Sequence, residues 1–316
     1  MSDFTIVIPN YNGAAILQEN LPKVLSIAKE YDAPIIIIDD ASTDNSVEIL
    51  QNSFQFLPPQ PNNHRILICK PHNEGFSSTV NLGVQQVVTP YVLLLNSDAV
   101  PQSEAPAKLL VHFRDSQVFS VGMQDVDEES RHHGQGKFIW HQGFLLHQKH
   151  TSQNSTEPLR TGWVSCGSGM FRKDLWDQLH GLNPIYNPFY FEDVDLGYRA
   201  LKLGYQNHFE PLAKCTHLHH KGAIKSNYNS ERIRTISIRN QFFFSWLNLT
   251  SIDLLLIHFC YIPFNLLLAL KNRDWPFFHG FLQAFTRLFL VFQQRAHSLH
   301  FIRSDNQVLS SFKSDV

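Results

Sequence analysis

A chain of 316 residues, 43% of them hydrophobic, can bury a sizeable core, which excludes disorder over its length. Its four cysteines, Cys69, Cys166, Cys215 and Cys260, are widely spaced without a CxxC pair, which excludes a zinc knuckle and a disulfide framework as readings. The net charge of −2 hides an asymmetry: residues 221–316 carry 11 Lys and Arg against 5 Asp and Glu, and residues 1–220 carry 15 against 23.

In chain order, MSDFTIVIPNYN lacks a basic segment followed by an apolar one, so no signal peptide is expected and a reducing cytosol is. FTIVIP is a β-branched run stopped by Pro-Asn-Tyr-Asn-Gly, a strand followed by a loop. Apolar residues recur at helical spacing from about Ala15 to Tyr31. PIIIIDDAS is a second strand, and Ser42, Thr43 and Asp44 are placed to cap a helix through Val47 and Leu50. RILICK is a third strand, and HNEGFSS leads into a helix through Val80, Leu82 and Val87. YVLLLNSDAV then runs an apolar strand straight into Asn96, Ser97 and Asp98, in a chain whose ligand sites are expected at carboxyl strand ends. This β-α-β-α-β-α-β rhythm predicts a doubly wound, Rossmann-like α/β sheet over residues 1–100, with right-handed crossovers.

The middle is less regular. DVDEESRHHGQGK and HQKHTSQNSTEP are expected as exposed loops, with WVSCGSGMFRKDLW and FYFEDVDLGYRALKLGY as the ordered segments around them. CTHLHHKGA sets His217, His219 and His220 within four residues, and a strand there puts His217 and His219 on one face. From Ser251 to Phe292 the chain is dense in Leu, Phe and Ile, and Ile252 to Leu270 is about long enough to span a bilayer, roughly 20 residues. Asp253, His258, Pro263 and Asn265 interrupt it, which favours an amphipathic helix lying in a membrane surface over a span. A soluble helical subdomain or a homodimer contact is the other reading. Nucleic acid is not an expected partner, because the basic residues lie among Phe and Leu instead of along a polar stripe.

Together IVIPNYN, IIIIDDASTD, HNEGF, LLLNSDA, CGSGMFRKD and FYFEDVDLGYR resemble the inverting family 2 nucleotide-sugar glycosyltransferases, and within them the rhamnosyltransferase-like branch of bacterial polysaccharide synthesis. The resemblance implies a GT-A fold, a mixed sheet flanked by helices, over residues 1–225: a nucleotide-binding half (1–100) and an acceptor half (101–225), followed by a membrane-associating helical region (226–316). It implies a UDP-, dTDP- or GDP-sugar donor, a lipid-linked or glycan acceptor, a divalent cation (Mn2+ or Mg2+), and a peripheral place on the inner face of the cell membrane. By the same resemblance Asn96, Ser97 and Asp98 occupy the family's DxD position, with Asp98 holding metal and Asn96 replacing the first acid. Asp40 contacts the nucleobase beside Asp39, Pro9 and Tyr11 line the base and ribose pocket, and Asn73 to Gly75 form a loop beside the donor. Asp193 is the general base, Glu192 borders the acceptor or holds Asp193, and His219, with His217 next, meets metal or diphosphate. Gly167 to Gly169 form an acceptor-side wall, and Arg172 stands near phosphate. Local structure offers a second reading of several of these: helix capping for Asp39, Asp40 and Asp193, an ordinary turn for Gly75, and a surface ion pair for Asp195 with Arg199. A sugar nucleotidyltransferase and a non-catalytic assembly subunit are the competing functions; the former normally shows a glycine-rich basic loop after the first strand, and PNYNGAAILQEN has one glycine and no base.

Overall fold

The computed structural model describes residues 2–61, 63–127, 129–150, 156–217, 228–296 and 300–312. Four apolar runs form the parallel half of the main sheet: β1 (Phe4–Asn10), β2 (Ile35–Asp39), β3 (Arg65–Cys69) and β4 (Tyr91–Leu95), in the spatial order β3-β2-β1-β4. The connecting helices are α1 (Ala14–Glu30), α2 (Ser46–Asn52) and α3 (Phe76–Gln85). Every residue of β2 is buried, as expected of a central parallel strand covered on both faces.

Register decides what meets at the carboxyl edge. Asn10 pairs with Asp39, and Asp39 with Cys69, so the polar ends of three strands stand in one row. Beyond β5 (Ala99–Pro101), α4 (Ala105–Leu110), β6 (Val118–Val126) and the two-residue β7 (His132–His133), the sheet becomes mixed. β11 (Ser168–Arg172) runs antiparallel between β4 and β6, setting Ser168 opposite Leu95. β12 (Gln206–His217) runs parallel to β6 and antiparallel to β5, which sets His217 opposite Ala99 and Cys215 opposite Asp125. The edge strand is β10 (Leu159–Thr161).

Residues 135–137 and 147–150, expected in exposed loops, join the apolar residues between them in regular structure. They form a hairpin, β8 (Gln135–His141) and β9 (Phe144–His150), turned at Gln142 and Gly143 with φ of 46° and 79°. Asp125 and Asp127, also expected in a loop, are buried. A turn built on Gln-Gly lacks the usual Asn-Gly or Asp-Gly signal, and its His- and Gln-rich flanks masked the strand pattern. A Cβ on Gly143 would lie 2.4 Å from Tyr261 Cβ, so the hairpin tip rests directly on the C-terminal region.

Two apolar clusters cover the two faces of the sheet, one built with α1 and α4, the other with α3, α5 (Lys173–Gln178) and α6 (Glu192–Lys202). A third, rich in aromatic rings, joins the hairpin and α6 to α7 (Ser230–Asn248), α8 (Ile252–Lys271), α9 (Trp275–Phe285), α10 (Leu288–Ala296) and α11 (Asp305–Ser310). On α8 the residues facing the protein are Leu254, His258, Asn265 and Ala269. His258 Nε2 accepts from Trp246 Nε1 at 2.9 Å, its Nδ1 meets Gly143 O at 2.6 Å, and Asn265 Nδ2 donates to Gln142 O at 3.1 Å. Of the residues that interrupt the apolar run, His258 and Asn265 are thus buried and Asp253 and Pro263 exposed, while Ile252, Leu256, Phe259, Phe264 and Leu267 are exposed, Leu267 by 67%.

The tail is locked by a buried ion pair. Lys202 Nζ lies 2.6 Å from Asp305 Oδ1, both side chains fully buried. Asp305 also accepts from Tyr198 Oη at 2.7 Å and from the backbone amides of Thr250 and Ser251 at 2.8 and 2.7 Å. Removing one partner strands a buried charge, so Asp305→Ala is expected to cost about 3–5 kcal/mol, read as the shift in urea midpoint; a loss below about 1 kcal/mol would contradict the lock.

Candidate active site

The first group of side chains sits at the ends of β1 and β2. Asp39, 1% exposed, accepts from Asn10 Nδ2 at 2.8 Å, from Ser42 Oγ at 2.6 Å and from Ser42 N at 2.8 Å. Asp40 Oδ1 pairs with Lys70 Nζ at 2.8 Å and accepts from Glu74 N at 3.0 Å, while its Oδ2 accepts from Gly75 N at 2.9 Å. Neither caps α2, which starts at Ser46 after Asn45; nor does Ser42 or Thr43, and Asp44 instead accepts from Ala14 N and from Ser46. Asp40 therefore binds the Asn73–Gly75 loop to the sheet edge. Asn73 Oδ1 also accepts from Gly75 N, at 3.2 Å. Gly75 has φ of 86°, and a Cβ there would come within 2.8 Å of Asn187 Cγ, so only glycine fits. Pro9 and Tyr11 are half-buried at the same edge.

The second group follows β4. Asn96 N donates to Gly167 O at 2.9 Å, which brings the glycine wall against the strand end, and Ser97 O accepts from Asn20 Nδ2 at 3.1 Å. Asp98 is 7% exposed; its Oδ1 lies 3.2 Å from His217 Nε2, and His217 Nδ1 lies 3.3 Å from Asp125 Oδ2. Burial opposes a charge on His217, but Asp125 and then Asp98 outweigh it and push its pKa up to about 10. The buried Asp125 Oδ1 has no hydrogen-bond partner. Among the described residues no group of three His, Cys, Asp or Glu is arranged to hold a metal. The facing carboxylate and imidazole of Asp98 and His217 become a donor pair of the type first-row divalent cations take once the cation displaces the proton of His217. His219 lies outside the described residues.

The third group opens α6. Tyr190 and Phe191 both have left-handed backbones, φ 71° and 76°, an arrangement that costs of order 1–3 kcal/mol per residue and clusters at functional sites. Glu192 is buried, and its Oε2 has no hydrogen-bond partner. Burial first, and the neighbouring Asp193 second, raise its pKa well above the usual carboxylate range. Cys166 is buried close by, its thiol pushed up by burial and then by Asp193 and Glu192. Asp193 is not the helix cap, a place held by Phe191; its Oδ1 accepts from Val194 N at 2.7 Å. A buried carboxyl with an unpartnered oxygen beside a second acid is the pattern of a site built for a ligand. Because the folded form prefers Glu192 protonated, its ionisation costs stability as pH rises above about 4.3, the unfolded value. Glu192→Gln is therefore expected to match wild type near pH 4 and to gain on it steadily toward pH 8 in thermal melts. A difference that does not change with pH would refute the burial argument.

Two expectations are corrected. Arg172 is not near phosphate: its guanidinium donates to the carbonyls of Val118, Phe113 and Asp115 and packs over the Tyr91 and Phe113 rings. The Asp195–Arg199 pair exists, at 2.7 Å, but is buried instead of on the surface, and Asp195 also accepts from Tyr186 Oη and Asn248 Nδ2. Sequence reasoning missed Lys70, Asp125 and Asn187. Lys70, 8% exposed, bridges Asp40, Glu74 and Thr79; its place as the last residue of RILICK was the available signal.

Comparison with known proteins follows the same outline. The model of the family "Glycosyl transferase family 2" matches residues 5–179, more than half of the chain. The poly-beta-1,6-N-acetyl-D-glucosamine synthase of Staphylococcus aureus (strain COL) is 24% identical over 217 residues, 68% of this chain and 50% of that protein. The synthase of the same name from Staphylococcus epidermidis is 32% identical over 105 residues, 33% of this chain and 24% of the relative. The chain thus spans about half the length of the Staphylococcus aureus relatives or less, and these relatives are synthases of an N-acetylglucosamine polymer, not rhamnosyltransferases. Among solved structures, GalNAc-T7 with UDP, GalNAc and Mn2+ superposes with a TM-score of 0.60 at 16% identity, covering 78% of this chain and 48% of the other. The mannosyltransferase PcManGT from Pyrobaculum calidifontis with GDP-Man and Mn2+ gives 0.56 at 13% identity, covering 90% and 87%. With the GT-A fold of those neighbours, C-terminal helices added to it and a family model matching more than half its length, the chain belongs to glycosyl transferase family 2 and is a glycosyltransferase.

Proposed function

We propose that the chain transfers a sugar, with inversion, from a nucleoside-diphosphate sugar to a hydroxyl of a lipid-linked or polysaccharide acceptor. The observation that carries this reading is the row of acidic groups at one sheet edge, Asp39 and Asp40 after β2 and the Asp98–His217–Asp125 chain after β4, with Glu192 and Asp193 tied to it through Cys166, the neighbour of the Gly167 that accepts from Asn96 N. Asp193 takes the proton of the acceptor hydroxyl while that oxygen bonds to the anomeric carbon. The bond from that carbon to the diphosphate breaks on the opposite face, and its electron pair leaves with the phosphate oxygen. Glu192, whose pKa burial and then Asp193 raise, borders the acceptor. Asp98 and His217, with His219 as a further donor, would hold a divalent cation, which when bound neutralises charge on the leaving diphosphate. Pro9, Tyr11 and the Asn73–Gly75 loop held by Asp40 form the nucleoside side. The Mn2+ and nucleotides in the GalNAc-T7 and PcManGT structures support a donor and cation of this class. The Staphylococcus aureus relative supports a polysaccharide acceptor.

The test is release of nucleoside diphosphate from UDP-, dTDP- and GDP-sugars with Mn2+, Mg2+ or EDTA, in membrane extract that supplies acceptor. Cation-dependent release from one donor is expected. Absence of both release and nucleotide binding across the panel would overturn the reading.

We also infer attachment to the cytoplasmic membrane face. Helix α8 is long and apolar enough to cross a membrane, yet only 22% of its most apolar window is buried. The side facing the protein carries His258 and Asn265 beside Leu254 and Ala269, and most of its Leu and Phe face out, continued by exposed Trp275, Leu282, Phe285, Phe289 and Phe292. That inverts the arrangement of a soluble surface helix and suits the headgroup boundary. Replacing Leu256, Phe264 and Leu267 together by serine is expected to lower co-sedimentation with anionic vesicles at least about tenfold. Unchanged sedimentation would leave the surface without a lipid role.

A further inference from the structure

Helix α7 carries two consecutive buried polar residues, Arg239 (6% exposed) and Asn240 (0%), in a segment otherwise spent on aromatic packing. Asn240 Nδ2 donates to three carbonyls, Tyr186 at 2.8 Å and Phe189 and Tyr190 at 2.9 Å each. Its Oδ1 accepts from Arg239 Nε at 2.9 Å. Arg239 Nη2 donates to Asn187 O at 2.7 Å and reaches Tyr186 O at 3.4 Å. Among the described residues no carboxylate pairs with Arg239. A guanidinium and an amide have therefore been taken out of water to satisfy four carbonyls in the five residues 186–190. Those carbonyls belong to the segment that ends in the left-handed Tyr190 and Phe191 and delivers Glu192 and Asp193. Left to itself such a turn would relax, because bulky residues seldom hold positive φ.

The same segment reaches the Asn73–Gly75 loop and the start of α3. Asn187 Nδ2 donates to Glu74 O at 2.5 Å and Ser78 Oγ at 3.0 Å, and its Oδ1 accepts from Ser77 N at 3.0 Å. One rigid strap thus runs from the Asn73–Gly75 loop through Asn187 to the turn before Asp193, and α7 grips it from behind. We propose that Arg239 and Asn240 are positioning residues for the transfer reaction: they hold the Tyr190–Phe191 turn so that the Asp193 carboxylate stays in register with the donor loop. The proposal rests on the reading of Asp193 as the base. Its energetic basis is that a displacement of about 1 Å at a reacting group costs on the order of 100-fold in rate.

The experiment compares wild type, Asn240→Ala, Arg239→Lys, Arg239→Met and Phe242→Leu in the full chain. Phe242 is a buried ring of the same helix that packs on Phe144, Trp246 and Phe281, so its variant reports general damage to α7. Asn240→Ala is expected to lower kcat about 100-fold with donor KM within about threefold. Arg239→Lys should retain most of the activity that Arg239→Met loses, and Phe242→Leu should keep kcat at an equal loss of Tm. Amide hydrogen exchange should show protection lost in residues 189–193 of Asn240→Ala and retained in the β1–β4 core. The proposal is overturned if Asn240→Ala keeps kcat within threefold, or if Phe242→Leu loses as much rate at equal Tm. Should Asn240→Ala fail to fold, the Arg239 pair decides: equal activity of the Lys and Met variants overturns it. If wild type transfers no sugar from any donor, the reading of Asp193 fails separately, and exchange alone judges the strap; unchanged protection at 189–193 would refute it.

Discussion

Asp193→Asn is expected to cut kcat by about 10³-fold while donor KM and Tm stay close to wild type. The size follows from general base catalysis, which contributes about 10²–10⁴-fold when a positioned group takes a proton in the transition state. The selectivity follows from local geometry. Asp193 does not cap α6, and the acceptor oxygen that it offers to Val194 N survives in asparagine, so the helix start is preserved. Glu192 is a poor substitute, because burial and the neighbouring carboxylate favour its protonated form. The measurement is single-turnover transfer together with nucleotide binding. Residual activity above about a tenth of wild type would remove Asp193 from the base role, and loss of donor affinity in step with kcat would make it a binding residue instead.

Much of the parallel half was legible because its signal is local. The apolar runs that end on Asn10, Asp39 and Leu95, seven, five and five residues long, become central strands, since only two covered faces can absorb IIII or VLLL. The carboxylates at their ends then share an edge as a consequence of register. What each carboxylate does there was not legible. Asp40 looks free in IIIIDDAS, yet it is engaged by Lys70 and by two amides 34 and 35 residues away. Such partners are chosen by loop closure in three dimensions, and neither periodicity nor capping rules encode them.

The C-terminal region shows the same limit from the other side. Composition exposed its apolar character, and His258 and Asn265 read as interruptions of a span. They are the contacts that seat α8 on the hairpin tip, a hairpin that the sequence pattern hid behind His and Gln. Arg239 and Asn240 sit in IRNQFFFSW, where an aromatic helix predicts burial but gives no reason for two polar residues. Their carbonyl partners lie 50 to 54 residues earlier, in GLNPIYNPFY. A polar pair inside an aromatic run is a general signal of a long-range backbone clamp, because burial without partners would cost about 1–3 kcal/mol per group.

Asp98→Asn is expected to lower cation-dependent turnover by about 10²–10³-fold, the scale of losing one pre-set electrostatic partner of a developing charge. Asparagine is the informative replacement. In Asp98→Ala the buried imidazolium of His217 would lose one of its two carboxylates, with Asp125 remaining at 3.3 Å, and that loss of pairing would confuse a site effect with destabilisation. Asparagine still offers His217 an acceptor oxygen, so Tm should fall little while the anionic oxygen pair that suits a hard cation is gone. Because Asp98 supplies the only carboxylate of Asn96–Ser97–Asp98, the loss should be steeper than in a site with two. EDTA on wild type should reproduce the variant, and Mn2+ in excess should rescue the EDTA-treated wild type but not Asp98→Asn. Equal rescue of both would place the cation elsewhere, whereas turnover indifferent to EDTA in wild type would assign the leaving charge to His217 itself, held as a cation between Asp98 and Asp125.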